Sequence, residues 1–144
     1  MTPSVGAAVD AAVAAARATL PVGARLIGVG WATVDLERAE AGIGLDLADA
    51  DDDIALGARC RTAALPDGVR LVVLEPSTEG RLTATLARHG EGPLVTWWEV
   101  ADLEGIPVLP PSGGPLGPFR LRRGGAPQGP WRFLRVQRPA TITP

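Results

Sequence analysis

The sequence contains no lysine and no tyrosine, one cysteine (Cys60) and one histidine (His89). Each scarcity removes a class of chemistry. Without lysine there is no Schiff-base nucleophile, and without tyrosine no phenolic acid or base. A lone cysteine and a lone histidine build neither a disulfide framework nor a Cys/His zinc cage. A single thiol is compatible with the reducing cytosol, so the expected location is cytoplasmic. No stretch reaches the roughly 20 apolar residues of a membrane span. Residues Val5 to Leu20 are alanine-rich but lack a basic start and are broken by Asp10, unlike a secretory signal. All fourteen basic residues are arginine, which with the Ala, Gly and Pro content fits a GC-rich bacterial genome.

What is present suits one globular domain. The chain has 144 residues, 46% of them hydrophobic, and a formal net charge of −2. That length fits a single core, and near-neutrality gives no general attraction to nucleic acid or to a membrane surface. Charge is unevenly placed. Asp35 to Asp53 carries eight acids against Arg38 alone, whereas beyond Glu104 there are six arginines (120, 122, 123, 132, 135, 138) and no acid. These segments either solubilise their own surfaces, or dock on one another within the chain or across a homodimer, or hold an anionic ligand on the arginines.

The pattern predicts a helix from Thr2-Pro3-Ser4, with Val5, Val9 and Val13 on one face, ending at Leu20-Pro21-Val22-Gly23. Strands are expected at 25–33, 54–63, 69–75 and 93–100, with short ones at 106–109, 117–123 and 131–137. Asp35 reads as the N-cap of a short helix. A second helix is expected over 79–89, with Glu79 in its first turn, His89 in its last and Gly90 as a left-handed terminator. The acids Asp46, Asp49, Asp51, Asp52 and Asp53 read as an exposed loop without EF-hand spacing. Ser112-Gly113-Gly114 and Gly124-Gly125 match no phosphate loop and read as turns. Strands with inserted helices make an α+β fold.

Two segments resemble the vicinal-oxygen-chelate superfamily, which includes glyoxalase I, methylmalonyl-CoA epimerase and bleomycin-resistance proteins. The first is Gly28 to Ala39 (GVGWATVDLERA). The second runs from Leu74 (LEPSTEGRL) to Gly92, through His89-Gly90-Glu91-Gly92. The resemblance implies paired βαβββ modules forming a curved mixed sheet with a cleft. The modules would span about 24–90 and 91–138, within one domain at 24–144. Residues 1–23 would form an appended N-terminal helix. The second module's helix would be largely missing, because Ala101 to Gly105 leaves no room for it. Metal-dependent members resemble one another in their ligand positions, which here align with Gly28, Val95, Val72 and Arg135. None of these side chains supplies a metal-binding oxygen or neutral nitrogen, which leaves only backbone oxygens or the acids of Asp46 to Asp53 for a metal. The resemblance therefore implies the scaffold without the metal, and no cofactor.

Strand alternation extends that reading. If Val95 faces the cleft, Trp97 and Glu99 do too; if Val72 does, Arg70 and Leu74 join it. The expected ligand-binding set is Trp97, Arg70, Arg135, Val95 and Val72, around an apolar cleft suited to a small organic molecule. Alternatively, one of Trp97 and Trp98 packs in the core and the other under a helix. Glu99 is either a solvated strand-end residue or the carboxylate base of a metal-independent isomerase or lyase. Glu75 is expected to bond backbone at a strand–helix junction, and Cys60 to be a buried, inert thiol. Arg59 and Arg61 share the opposite strand face and can pair with the acidic segment. A protein-interaction module is the third reading, and predicts a flat surface.

Overall fold

Val9 and Val13, four residues apart, give the first helix α1 (Val5–Ala18) a buried stripe that Ala16 extends. The computed structural model describes residues 5–18, 23–122 and 131–137, so the expected helix start at Thr2-Pro3-Ser4, its Pro21 terminator and the turn at Gly124-Gly125 lie outside the described residues. After α1 come β1 (Arg25–Ala32), α2 (Leu36–Ile43), β2 (Ala48–Asp53), β3 (Ala58–Ala64), β4 (Arg70–Pro76) and α3 (Arg81–His89). The chain then continues through β5 (Gly92–Val100), β6 (Arg120–Leu121) and β7 (Trp131–Val136). The strands form one curled mixed sheet in the order β2-β3-β4-β1-β5-β7-β6.

Two modules are visible in that order. In the first, β1 pairs parallel with β4, and β3 and β2 follow antiparallel. In the second, β5 pairs parallel with β7, which pairs antiparallel with β6. The modules join where β1 and β5 run antiparallel, Gly30 opposite Val95 and Gly28 opposite Trp97. What would be the second module's outer strand is reduced to two isolated bridges, Val108 to Arg122 and Ser112 to Phe119.

The sheet separates two apolar clusters. Its inner face carries Cys60, Val72, Leu74, Val95, Trp97, Leu121 and Phe133. Its outer face carries Val29, Leu71, Val73, Trp98 and Leu134, against α1 and α2. Between β5 and β6 the described residues include no helix. Instead α1 packs beside β1, α2 and β5, and Leu103, Ile106 and Val108 fold onto the same cluster. The appended helix thus covers part of the face that the missing helix leaves bare.

The two family-like segments are fastened to each other by carboxylates. Asp35 caps α2 by accepting the Arg38 N–H, and Gly44 ends the helix in the left-handed conformation. Glu75, at the end of β4, accepts the Leu36 N–H at 2.7 Å, so the junction it serves is that of β1 with α2 rather than its own. Glu91 accepts from the Thr33 hydroxyl at 2.7 Å and pairs with Arg38. Arg61 reaches Asp49 and Glu40, while Arg59 reaches Glu37 and Glu75.

Four local expectations need correction. The acidic stretch is not a loop over its whole length, since 48–53 forms β2, with Asp49 opposite Arg61 and Ala50 opposite Cys60. Aspartate disfavours strands, but an edge strand needs a partner on one side only, and acids along it discourage pairing with another sheet. The next strand starts at Ala58, not 54, because Asp53 accepts the Leu56 N–H and turns the chain through Gly57 (φ 69°). Helix α3 starts at Arg81 after Gly80, leaving Glu79 outside its first turn. The preceding loop is held externally, with Ser77 N–H on the Gly57 carbonyl and Leu82 N–H on that of Leu56. Gly90 has the expected positive φ of 75°, but its ψ of −178° is extended rather than left-handed helical.

The glycines of β1 are required by close approach. A Cβ on Gly30 would lie 2.8 Å from Leu74, 2.9 Å from the Trp97 ring and 2.9 Å from Val95 Cβ. Gly30→Ala is therefore expected to lower unfolding stability by about 1–3 kcal/mol, the usual range for overpacking, as read from urea denaturation.

Candidate functional site

Trp97 lies across the glycines of β1 on the inner face and is 1% exposed. Its ring stacks on Phe133 with centroids 5.4 Å apart and planes 6° from parallel. Leu116, from the loop before β6, covers Gly28, where an added Cβ would lie 2.7 Å from the leucine methyl. Val72 and Val95 are equally buried beside them. These side chains retain almost no surface to offer a ligand.

At one end of the inner face the charged candidates are engaged with one another. Glu99 accepts from Arg135 Nε at 2.9 Å through one oxygen and meets Arg25 at 3.4 Å through the other. The Arg135 guanidinium also stands 4.7 Å over the Phe119 ring. Arg70 donates to the Thr62 hydroxyl at 3.0 Å. The structure thus brings Glu99 and Arg135 together, fills the space beside Val72, Val95 and Trp97, and leaves Arg70 exposed at the edge.

The outer face of the second module is more open. Strand alternation that sends Trp97 inward sends Trp98 outward, onto the cluster containing Val9, Val13 and Ala16 of α1. Trp98 is 5% exposed, and its indole N–H donates to the Thr96 hydroxyl at 2.7 Å. It borders two cavities. One, of about 270 Å³, lies between α1 and β5 and is lined by Ala12, Ala15, Thr96 and Arg132 among others; Val95 also borders it. The other, of about 90 Å³, is lined by Val100, Ile106, Arg122, Arg132 and Leu134. Trp98 and Arg132 border both, so the two cavities adjoin along a groove of β5 and β7.

A third feature is the seam where the curled sheet closes on the loop before β6. Ile54 N–H donates to the Gly113 carbonyl, and a Cβ on Gly114 would lie 2.9 Å from Asp53 Oδ2. An open depression of about 580 Å³ follows this seam, lined by Asp51, Asp52 and Ile54 on one side and Gly113, Gly117 and Pro118 on the other. Asp53 is 2% exposed, and burial pushes its pKa up from 3.8 to about 6, against the lowering effect of the Leu56 and Ala55 N–H groups. Burial, reinforced by the Asp53 charge, pushes the Cys60 thiol up to about 12, which keeps it protonated and unreactive.

No protein-family profile matches the chain, and no curated protein matches it in sequence. Solved structures do. A methylmalonyl-CoA epimerase from Mycobacterium tuberculosis superposes with a TM-score of 0.64 at 19% identity, covering 86% of this chain and 96% of that one. A Streptomyces coelicolor methylmalonyl-CoA epimerase variant, in complex with 2-nitronate-propionyl-CoA, gives 0.59 at 23% identity over 78% of this chain and 96% of that one. A hypothetical protein from Bacillus halodurans gives 0.62 at 15% identity, covering 83% and 99%. The chain has the vicinal-oxygen-chelate fold.

The sequence resemblance aligns Gly28, Val72, Val95 and Arg135 with metal-ligand positions. Glycine and valine carry no donor atom, and the arginine is a permanent cation already paired with Glu99. This set does not fit a divalent ion, and the inner face at Gly30 is closed by Val95, Leu74 and Trp97. A separate carboxylate group, Asp35, Glu37 and Glu75 at the start of α2, lies within 4.8 Å, but Arg59 already pairs with Glu37 and Glu75. His89 ends α3 exposed at the surface.

Sequence reasoning missed the groove at Trp98, Arg122 and Arg132. Its signal was nonetheless present, since a module without its helix leaves an outer face uncovered. Asp53 was hidden among neighbouring aspartates, and only its turn onto Leu56 and the seam buries it.

Asp53 supplies a pH prediction. A carboxyl group that ionises near 3.8 when unfolded and near 6 when folded favours the folded state in its protonated form. Its contribution is therefore fully present below about pH 4, falls as pH rises to 6, and is constant above. Asp53→Asn keeps the acceptor for Leu56 without the charge. Its stability relative to the native chain should rise by about 2 kcal/mol between pH 4 and pH 7 in denaturant titrations. A flat difference across that range would contradict the assignment.

Proposed function

We propose that this domain binds a small organic molecule, without a metal held by its side chains, in the outer-face groove against Trp98. The observation that carries the reading is the pair of cavities, about 270 and 90 Å³, that share Trp98 and Arg132. Together they approach the lower end of ordinary small-molecule sites, with apolar walls and a few polar groups. Trp98 is 5% exposed, so it supplies an apolar wall of the groove. The groove is built within one chain, so a homodimer is not needed to complete it. The inner-face residues Trp97, Val72 and Val95 act as core in this reading, and Arg70 and Arg135 flank that core.

A carboxylate-base mechanism at Glu99 draws little support from its surroundings, because two guanidinium groups occupy both oxygens. A general base needs a lone pair directed at substrate. An interaction module would present a flat face, whereas this groove is recessed between α1 and the segment bearing Ile106.

Native mass spectrometry after exposure to a bacterial metabolite extract tests the reading. The native chain should retain an organic mass, and Ala12→Leu, which fills the larger cavity on a helix that tolerates leucine, should not. Stoichiometric retention of a divalent metal, or equal retention by both proteins, would overturn it.

A further inference from the structure

Arg122 and Arg132 stand opposite each other on neighbouring strands, the Arg122 N–H donating to the Arg132 carbonyl at 2.9 Å. Like charges directly opposite on one sheet face repel, and a fold normally relieves this with an acid nearby. Among the described residues no acid does so. Nine ion pairs occur among the described residues, and they engage Arg17, Arg25, Arg38, Arg59, Arg61 and Arg135. Arg120, Arg122 and Arg132 enter none of them, and Arg120, opposite Leu134, faces the same way. The contrast with β3 is instructive, for there Arg61 alone is met by Glu37, Glu40 and Asp49.

A second, independent observation concerns hydrogen bonding. Arg122 Nε is buried and makes no hydrogen bond. Buried donors in native proteins are almost always paired with protein, water or ligand, because leaving one unmade forfeits its hydration. The guanidinium Nε–H and the neighbouring N–H form a planar fork that matches the two oxygens of one oxyanion. Beyond that fork the walls are apolar, made by Trp98, Val100, Ile106 and Leu134.

We propose that the groove of the outer face is a recognition site for an apolar carboxylate. Its carboxylate group lies on Arg122 and Arg132, and its flat hydrocarbon part runs past Trp98 toward α1. This rests on the reading of the groove as a small-molecule site and adds the ligand's charge and shape. A monoanion suits the site better than a dianion such as a phosphate monoester. The walls around the fork are apolar, and stripping water from a second charge costs more than the same two guanidinium groups return.

The test uses the full chain with 2-naphthoate, the neutral 2-naphthalenemethanol and 2-naphthyl phosphate as probes, titrated by calorimetry and ligand-observed NMR. Naphthoate should bind at least tenfold more tightly than the alcohol, with an affinity that falls as salt is raised, and more tightly than the phosphate. Arg122→Met should abolish that advantage while leaving the alcohol unaffected. Because it removes an unpartnered buried donor, the same variant should melt at or above the native temperature.

The outcomes separate the two readings. If naphthoate and alcohol bind equally and Arg122→Met changes neither, the groove remains a small-molecule site and the carboxylate assignment falls. Tighter binding of the phosphate would likewise overturn the monoanion. If neither probe binds and the native chain retains no metabolite, the groove reading falls with it. An Arg122→Met protein that is clearly less stable than native would assign Arg122 a structural role and overturn the proposal.

Discussion

The packing of Trp97 across Gly28 and Gly30 is the constraint on which the rest of this molecule depends. Two half-sheets meet at β1 and β5, and an indole ring can lie over that junction only because β1 carries no side chains beneath it. The ring in turn stacks on Phe133 of β7 and is closed over by Leu116. One contact therefore ties together the first module, the second module and the loop that seals the inner face. An aromatic stack of this kind adds about 0.5–1.5 kcal/mol to the burial of its two rings. Its larger consequence is that the inner face of the sheet is packed as a core.

That packing closes the inner face. Gly28, Val72 and Val95 carry no donor side chain, and Trp97, 1% exposed, fills the space beside them. Glu99, a cleft candidate by alternation, and Arg135, one by the resemblance, pair with each other at the end of the core. Meanwhile the described residues place no helix between β5 and β6, and α1 with the segment around Ile106 covers the outer face incompletely. The loss of one element and the filling of another site thus leave the open apolar surface beside Trp98. No helix among the described residues is long and apolar enough to cross a membrane.

Carboxylates hold the first module in place around that core. Asp35, Glu75 and Glu91 reach α2 from three directions, satisfying backbone donors at its start or pairing with Arg38. Asp53 acts differently. It spends its lone pairs on a turn, lies under the seam, and is retained although burial disfavours its charge. Such a group binds the curl of the sheet to the protonation state of one carboxyl.

The sequence by itself determined the local order of this protein. Valines four apart set α1, Asp35 set the cap of α2, and short apolar runs set β1, β4 and β5, because these depend on neighbours within a turn or a strand. The motifs around Leu36 and Leu74 also pointed to the fold. Tertiary structure decided the remainder. Whether Asp46 to Asp53 is loop or edge strand depended on β3 lying alongside to accept its hydrogen bonds. Which tryptophan enters the core depended on the register of β5 against the glycines of β1, and a one-residue shift would exchange them. The pairing of Glu99, and the absence of a carboxylate partner at Arg122 and Arg132 among the described residues, depended on which strands became neighbours. Distances between residues far apart in the chain exist only after the sheet has curled, so no local pattern could supply them.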